Sequence, residues 1–136
     1  MPEYRINQIE DALRELHRDV SGLQASVVVS LDGFVVAAHV PDGNSRRRAT
    51  GAADSPQVAA MAASIIALSD RVLAQLQRGA ISRILIDGTE GGMVVIPAGR
   101  DAALAAMINA DAKLGLVMLA LRRSAAQVSH ILSPGS

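Results

Sequence analysis

The sequence predicts an α+β fold of element order αββαβββα: a five-stranded antiparallel sheet with the first and last helices on one face and a long middle helix on the other. Three observations carry this expectation. Two β-rich runs meet at Asp32-Gly33, three further short apolar runs are separated by glycine- and proline-containing turns, and helical three-and-four spacing is confined to the two ends and to residues 55–76. With 136 residues, 50% of them hydrophobic, the chain is expected to form a single domain over 1–136, with its core in 5–132 and a frayed tail at 133–136.

The first helix, about 4–19, places Ile6, Ile9, Leu13, Leu16 and Val20 on one stripe and Asn7, Glu10, Asp11, Arg14, Glu15 and Arg18 opposite, and Ser21-Gly22 ends it. Residues 25–31 and 34–40 then read as strands, and the Asp32-Gly33 dipeptide between them matches a two-residue type I′ hairpin turn. Val27, Val28 and Val29, like Val35 and Val36, show no alternation, so this part of the hairpin is expected to be covered on both faces. Residues 41–54 carry Pro, Asp, Gly, Asn, Ser and the consecutive Arg46, Arg47 and Arg48, the composition of a surface loop.

The middle helix is predicted from Ser55, as cap, through Pro56 at the first helical position to about Gln77, with Gly79 just past its end. Its length is about 33 Å at ~1.5 Å per residue. Three strands in a meander follow, at 81–87, 93–96 and 102–108, the last rich in alanine but bounded by turn signals on both sides. The final helix, about 111–132, turns Leu114, Val117 or Met118, Leu121, Ala125, Val128 and Leu132 inward and Arg122, Arg123, Gln127 and His130 outward. Gly115 in its first turn predicts a closely approaching neighbour, since glycine otherwise weakens a helix.

The middle helix is apolar on more than one side. Val58, Ala62, Ile66, Ser69, Leu73 and Leu76 form a stripe that can lie on the chain's own sheet, whereas Met61, Ile65, Leu68 and Val72 form a second at the same spacing. No spare helix remains to cover the second stripe, so it points to another protein surface. Burying four such side chains on each of two protomers yields roughly 12–24 kcal/mol gross at ~1.5–3 kcal/mol apiece, against an association cost of about 4–15 kcal/mol. A homodimer is therefore expected, with Met61, Ile65, Leu68, Val72, Arg83 and Leu85 as its candidate interface. Arg83 equally fits an edge strand, where charge discourages unwanted pairing. Membrane insertion is not expected, because the uninterrupted apolar run 58–68 is closed by Ser69-Asp70-Arg71 and falls far short of ~20 residues.

Composition narrows the function classes. Tyr4 and Phe34 are the only aromatic residues, which disfavours base stacking, and zero net charge disfavours phosphate-backbone binding, so nucleic acid is not an expected partner. The lack of cysteine removes disulfides, thiolate zinc sites and cysteine nucleophiles, and fits a cytoplasmic protein, as does an N-terminus without a continuous apolar leader segment. His17, His39 and His130 sit on different elements with no ligand spacing between them and read as surface histidines, so neither metal nor cofactor is expected. No P-loop and no nucleophile elbow occurs, and the loop Gly88-Thr89-Glu90-Gly91-Gly92 joins two strands instead of opening a helix. A non-catalytic role is expected. Arg46, Arg47 and Arg48 read most simply as a solvated basic loop, the less favoured alternative being that one of them reaches a partner's γ-phosphate.

The element order, the Val27–Ala37 hairpin, the alanine-rich middle helix, the Gly-Gly-Met-Val-Val-Ile-Pro-Ala-Gly segment at 91–99 and the Ala-Lys-Leu-Gly-Leu-Val segment at 112–117 together resemble the Roadblock/LC7 family over about residues 5–132. The likeness is greatest to bacterial stand-alone members that occur beside Ras-like small GTPases and a sensor-kinase-like protein. It implies a profilin-like fold and a homodimer in which the middle helices pair and the following strands join. It also implies a role as regulator or scaffold of a Ras-like GTPase, or as an assembly module that tethers signalling or motor-complex proteins without affecting hydrolysis.

Overall fold

A computed structural model describes residues 3–41 and 56–133. The elements are α1 (Glu3–Asp19), β1 (Leu23–Ser30), β2 (Val35–His39), α2 (Pro56–Gln75), β3 (Ile84–Gly88), β4 (Gly91–Pro97), β5 (Ala102–Ile108) and α3 (Leu114–Leu132). The strands form one antiparallel sheet in the order β2-β1-β5-β4-β3, so β1 and β5 are central and β2 and β3 are edges.

Both faces of this sheet are covered, and the pleat sorts its residues between two cores. Val28, Val94, Ile96, Leu104 and Ala106 meet Ile9, Leu13 and Leu16 of α1 and Val117, Leu121 and Val128 of α3. Their strand neighbours Val27, Val29, Val95, Ala103 and Ala105 meet Ala59, Ala62 and Ile66 of α2. The absence of alternation in β1 thus has the expected cause, since Val27, Val28 and Val29 are all fully buried. Both aromatic residues lie outside: Tyr4 is 60% and Phe34 69% exposed. The α2 core is lined by alanine on helix and sheet alike, which permits close approach.

Local structure departs from expectation at four places. The first is the hairpin, which closes through the three residues Leu31-Asp32-Gly33: the Gly33 N–H donates to the Ser30 carbonyl at 2.9 Å and the Ser30 N–H to the Phe34 carbonyl at 2.8 Å. Gly33 alone takes a positive φ, +95°, whereas a type I′ turn needs one at Asp32 too. An Asp-Gly pair serves both loop types. The Ser30 hydroxyl accepts the Phe34 N–H at 3.1 Å and fixes the longer form.

Second, the glycines expected in a loop are strand residues. Gly88 pairs with Gly91 and Asp87 with Gly92, leaving Thr89-Glu90 as the turn. The ladder is too tight for side chains, since a Cβ on Gly92 would lie 2.4 Å from the Ile86 carbonyl oxygen. Correspondingly, β3 begins at Ile84, and Ile81, Ser82 and Arg83 precede it. Third, α3 starts at Leu114, because Asp111 and Ala112 are used in a turn closed by the Ala112 N–H on the Asn109 carbonyl at 3.1 Å. No atom lies within 4 Å of a Cβ built on Gly115, so the close approach expected there does not occur.

The fourth departure is at the end of α2. Leu76, assigned to the chain's own core, lies beyond the helix and is 60% exposed, because Gln77 turns to φ +54° and redirects the chain. At the other end, the expected Ser55 cap lies outside the described residues, as do residues 42–54 of the connection and 134–136 of the tail.

Ala105 is fully buried between sheet and α2. Ala105→Leu is expected to destabilise the chain by about 1–3 kcal/mol through overpacking, read as a lowered urea midpoint at unchanged m-value.

Candidate functional site: an open apolar face

On α2, Ala59, Ala62 and Ile66 are buried on the sheet. About a third of a turn away, at ~100° per residue, Met61, Leu68 and Val72 are 58%, 59% and 48% exposed. Ile65, at the flank of that stripe, is half-buried. Exposure therefore divides the helix as its two stripes divide it, with Leu76 joining the open side.

Next to this side runs β3, an edge strand with β4 as its single neighbour. Leu85 and Ile86 are 43% and 41% exposed, so both sides of the edge are apolar and accessible, and among the described residues the outer backbone groups of β3 have no strand partner. Between helix and strand lies a groove of about 360 Å³ lined by Leu68, Ser69, Val72, Leu73, Ile81, Arg83 and Ile84. Of the residues singled out in the sequence, Leu68, Val72 and Arg83 meet at this groove, Met61 and Ile65 lie on the N-terminal half of α2, and Leu85 lies on β3. Arg83 stands exposed immediately before the strand. Arg46, Arg47 and Arg48 lie outside the described residues.

Ile86 and Leu76, which helical periodicity does not place there, belong to the same open surface. Ile86 could have been found from the strand period, because Leu85 and Ile86 point to opposite faces and one edge strand cannot bury both.

By length and composition α2 could cross a membrane, with 20 residues and a mean hydropathy of 1.4. Its position argues against a span: Ala59, Ala62 and Ile66 are packed on the sheet, and Gln57, Asp70, Arg71 and Gln75 are exposed along its length. The apolar excess is a flank of a docked helix.

A second cluster corrects the reading of all three histidines as surface residues. His17 of α1 packs edge-on against His39 of β2, with ring centroids 4.7 Å apart. Its Nε2 lies 3.0 Å from the hydroxyl oxygen of Ser26, a fully buried β1 residue. Burial first, and the neighbouring His39 second, lower the His17 pKa to about 4. His130 is exposed and lines a groove with Asp11 and Glu15. Among the described residues no three metal-ligating side chains converge.

Because folding lowers the His17 pKa below its ordinary value near 6.5, the unfolded chain binds the extra proton more readily as pH falls. This contribution to stability is complete above about pH 6.5 and is lost progressively toward pH 4. His17→Gln should flatten that part of the profile, measured as urea midpoints of the two proteins between about pH 7.5 and 4.5. Parallel profiles would refute the assignment.

The Roadblock/LC7 domain family model matches residues 9–108, from α1 to the end of β5. An uncharacterized protein of Methanocaldococcus jannaschii is 28% identical over 120 residues, covering 88% of this chain and 96% of its own. Among solved structures, the gliding protein MglB of Thermus thermophilus superposes with a TM-score of 0.84 at 19% identity, covering 96% of this chain and 93% of that one. A Roadblock/LC7 domain of Streptomyces avermitilis gives a TM-score of 0.76 at 18% identity, over 90% and 96% of the two chains.

Proposed function

Since the chain belongs to the Roadblock/LC7 family and is thereby a small regulatory or scaffold domain, we propose that it acts as a non-catalytic homodimer that binds a Ras-like small GTPase and modulates its nucleotide cycle or localisation. The observation that carries the proposal is the exposed stripe Met61, Leu68 and Val72 beside the unpaired edge of β3.

A two-fold axis along this surface would set α2 against its mate and β3 beside its mate. The first contact buries the leucine, valine and methionine side chains, and the second satisfies the outer backbone groups of the strand. Each protomer would contribute Met61, Leu68, Val72, Leu85 and Ile86, ten side chains in the pair. At ~1.5–3 kcal/mol for complete burial, scaled to the exposed half, they supply roughly 8–15 kcal/mol, comparable with an association cost of about 4–15 kcal/mol before any strand hydrogen bonds are added. The paired helices then present a broad surface built from two protomers, to which a GTPase binds in this reading.

Leu68→Asp tests the dimer cleanly, because Leu68 is already exposed in the single chain and its replacement need not disturb the fold. The expected result is at least a ~100-fold weaker dimer by light scattering or sedimentation, with an unchanged circular dichroism spectrum. A wild-type chain that stays monomeric at high concentration would overturn the proposal. For the GTPase, the measurement is single-turnover GTP hydrolysis by a Ras-like protein encoded nearby, with and without this chain. An altered rate identifies a regulator, binding at unchanged rate identifies a tethering scaffold, and no binding in either nucleotide state removes the GTPase reading.

A further inference from the structure

On the opposite side of the sheet, α3 carries a second exposed apolar surface with a different electrostatic character. Val117, Leu121, Ser124, Ala125 and Val128 form its buried side. Directly outward, at three-and-four spacing, run Leu116, Leu119, Arg122, Arg123 and Ala126, all exposed. Leu116 and Leu119 are 55% and 65% exposed, and Leu114 at the flank 39%. Lys113, the only lysine of the chain, caps the same end. Gly115 leaves the space beside Leu119 open, with no atom within 4 Å of a Cβ built there.

No aspartate or glutamate occurs from Lys113 to the end of α3. Two exposed carboxylates stand at the leucine end, Asp111 two residues before Lys113 and Asp19 at the close of α1, while Asp11 and Glu15 of α1 line a groove with Gln127 and His130 at the other end, Asp11 paired with Arg14. Two leucines projecting from a convex helix, with cations on either side and no anion among them, do not suit a second copy of the same face, which would set arginines against arginines. They suit an anionic surface that yields to a ridge: leucines enter the boundary of the acyl chains while arginine and lysine stems reach the headgroups.

We infer that the outward face of α3, through Leu116 and Leu119 flanked by Lys113, Arg122 and Arg123, docks reversibly on an anionic lipid bilayer. Binding through one helix face is weak and salt-sensitive, and a dimer offering two faces strengthens it by avidity. The inference does not depend on the GTPase reading, because α3 and α2 lie on opposite faces of the sheet.

The test is co-sedimentation of the full chain with vesicles of phosphatidylcholine alone or of phosphatidylcholine with about 40% phosphatidylglycerol. At low salt the anionic vesicles are expected to retain at least ~10-fold more protein than the neutral ones, with the excess lost by about 0.5 M NaCl. Two double variants, Arg122→Gln with Arg123→Gln and Leu116→Ser with Leu119→Ser, should each reduce retention by at least ~5-fold while keeping the wild-type spectrum and oligomeric mass. The Leu68→Asp variant, which leaves α3 intact, should retain measurable binding, separating this result from any failure of the dimer. Overturning results are equal retention by both vesicle types, undiminished binding by either double variant, or displacement of the protein from vesicles by an acidic amphipathic helical peptide that binds this face more tightly than lipid does.

Discussion

One helix covers on one side of the sheet what two helices cover on the other, and the open surface of the molecule follows from that inequality. Five strands at ~4.8 Å spacing make a sheet roughly 19 Å across, and a helix with its side chains is about 10 Å wide. α1 and α3 together match that width. α2 alone matches about half of it: Val27, Val29, Ala103, Ala105 and Val95 are buried beneath it, and among the described residues the edge strand β3 is left largely open. The groove bordered by Arg83 and Ile84 marks that open margin, and the outer flank of α2 is its wall. Apolar residues on both α2 and the β3 edge are therefore one surface, produced by one shortage of covering structure.

Small side chains make the inequality stable. Ala59 and Ala62 on α2 face Ala103 and Ala105 on β5, so the helix sits close to the sheet and gains contact without large residues. A helix held this closely cannot roll to bury its other flank, because a turn of roughly 140° would carry Ala59 and Ala62 off the sheet and bring Met61 and Leu68 against it, where side chains of that size overpack the interface. The exposed stripe is thus fixed in orientation, a precondition for recognition by a rigid partner surface.

How much of this was legible in the sequence depended on the range of the physics involved. The order of elements was readable because turn residues and apolar periodicity are local: β5 was placed at its observed bounds even though alanine favours helix, since Pro97-Ala98-Gly99 on one side and Asn109 to Asp111 on the other left no room for one. The hairpin was placed correctly but its turn was not, because the choice between two and three loop residues is made by the Ser30 hydroxyl and by the Leu31 N–H bonding the Asp101 carbonyl, a contact 70 residues apart in sequence. The pairing of His17 with His39 was illegible for the same reason, since α1 must first lie across β1 and β2. Gly115 shows the converse error: a costly residue was assumed to have a packing cause, and it faces open space.

The leucines of α3 mark the limit of periodicity as evidence. Its inward stripe is legible down to Leu132, which packs partly buried on the core, but it also takes in Leu114, 39% exposed, and gives Leu116 and Leu119 no role, because a helix apolar through most of its circumference gives no unique inward direction. Charge resolves what hydrophobicity leaves open. On α2 the exposed apolar stripe is bordered by both signs, Asp70 and Arg71, and continues into a strand edge, a combination suited to a structured protein partner. On α3 the exposed face carries Lys113, Arg122 and Arg123 and no carboxylate of the helix itself, with Asp111 before its start. Two apolar surfaces on opposite faces of one sheet therefore differ in the kind of partner they can accept, and with helices packed about 10 Å from either side of the sheet, occupation of one does not obstruct the other.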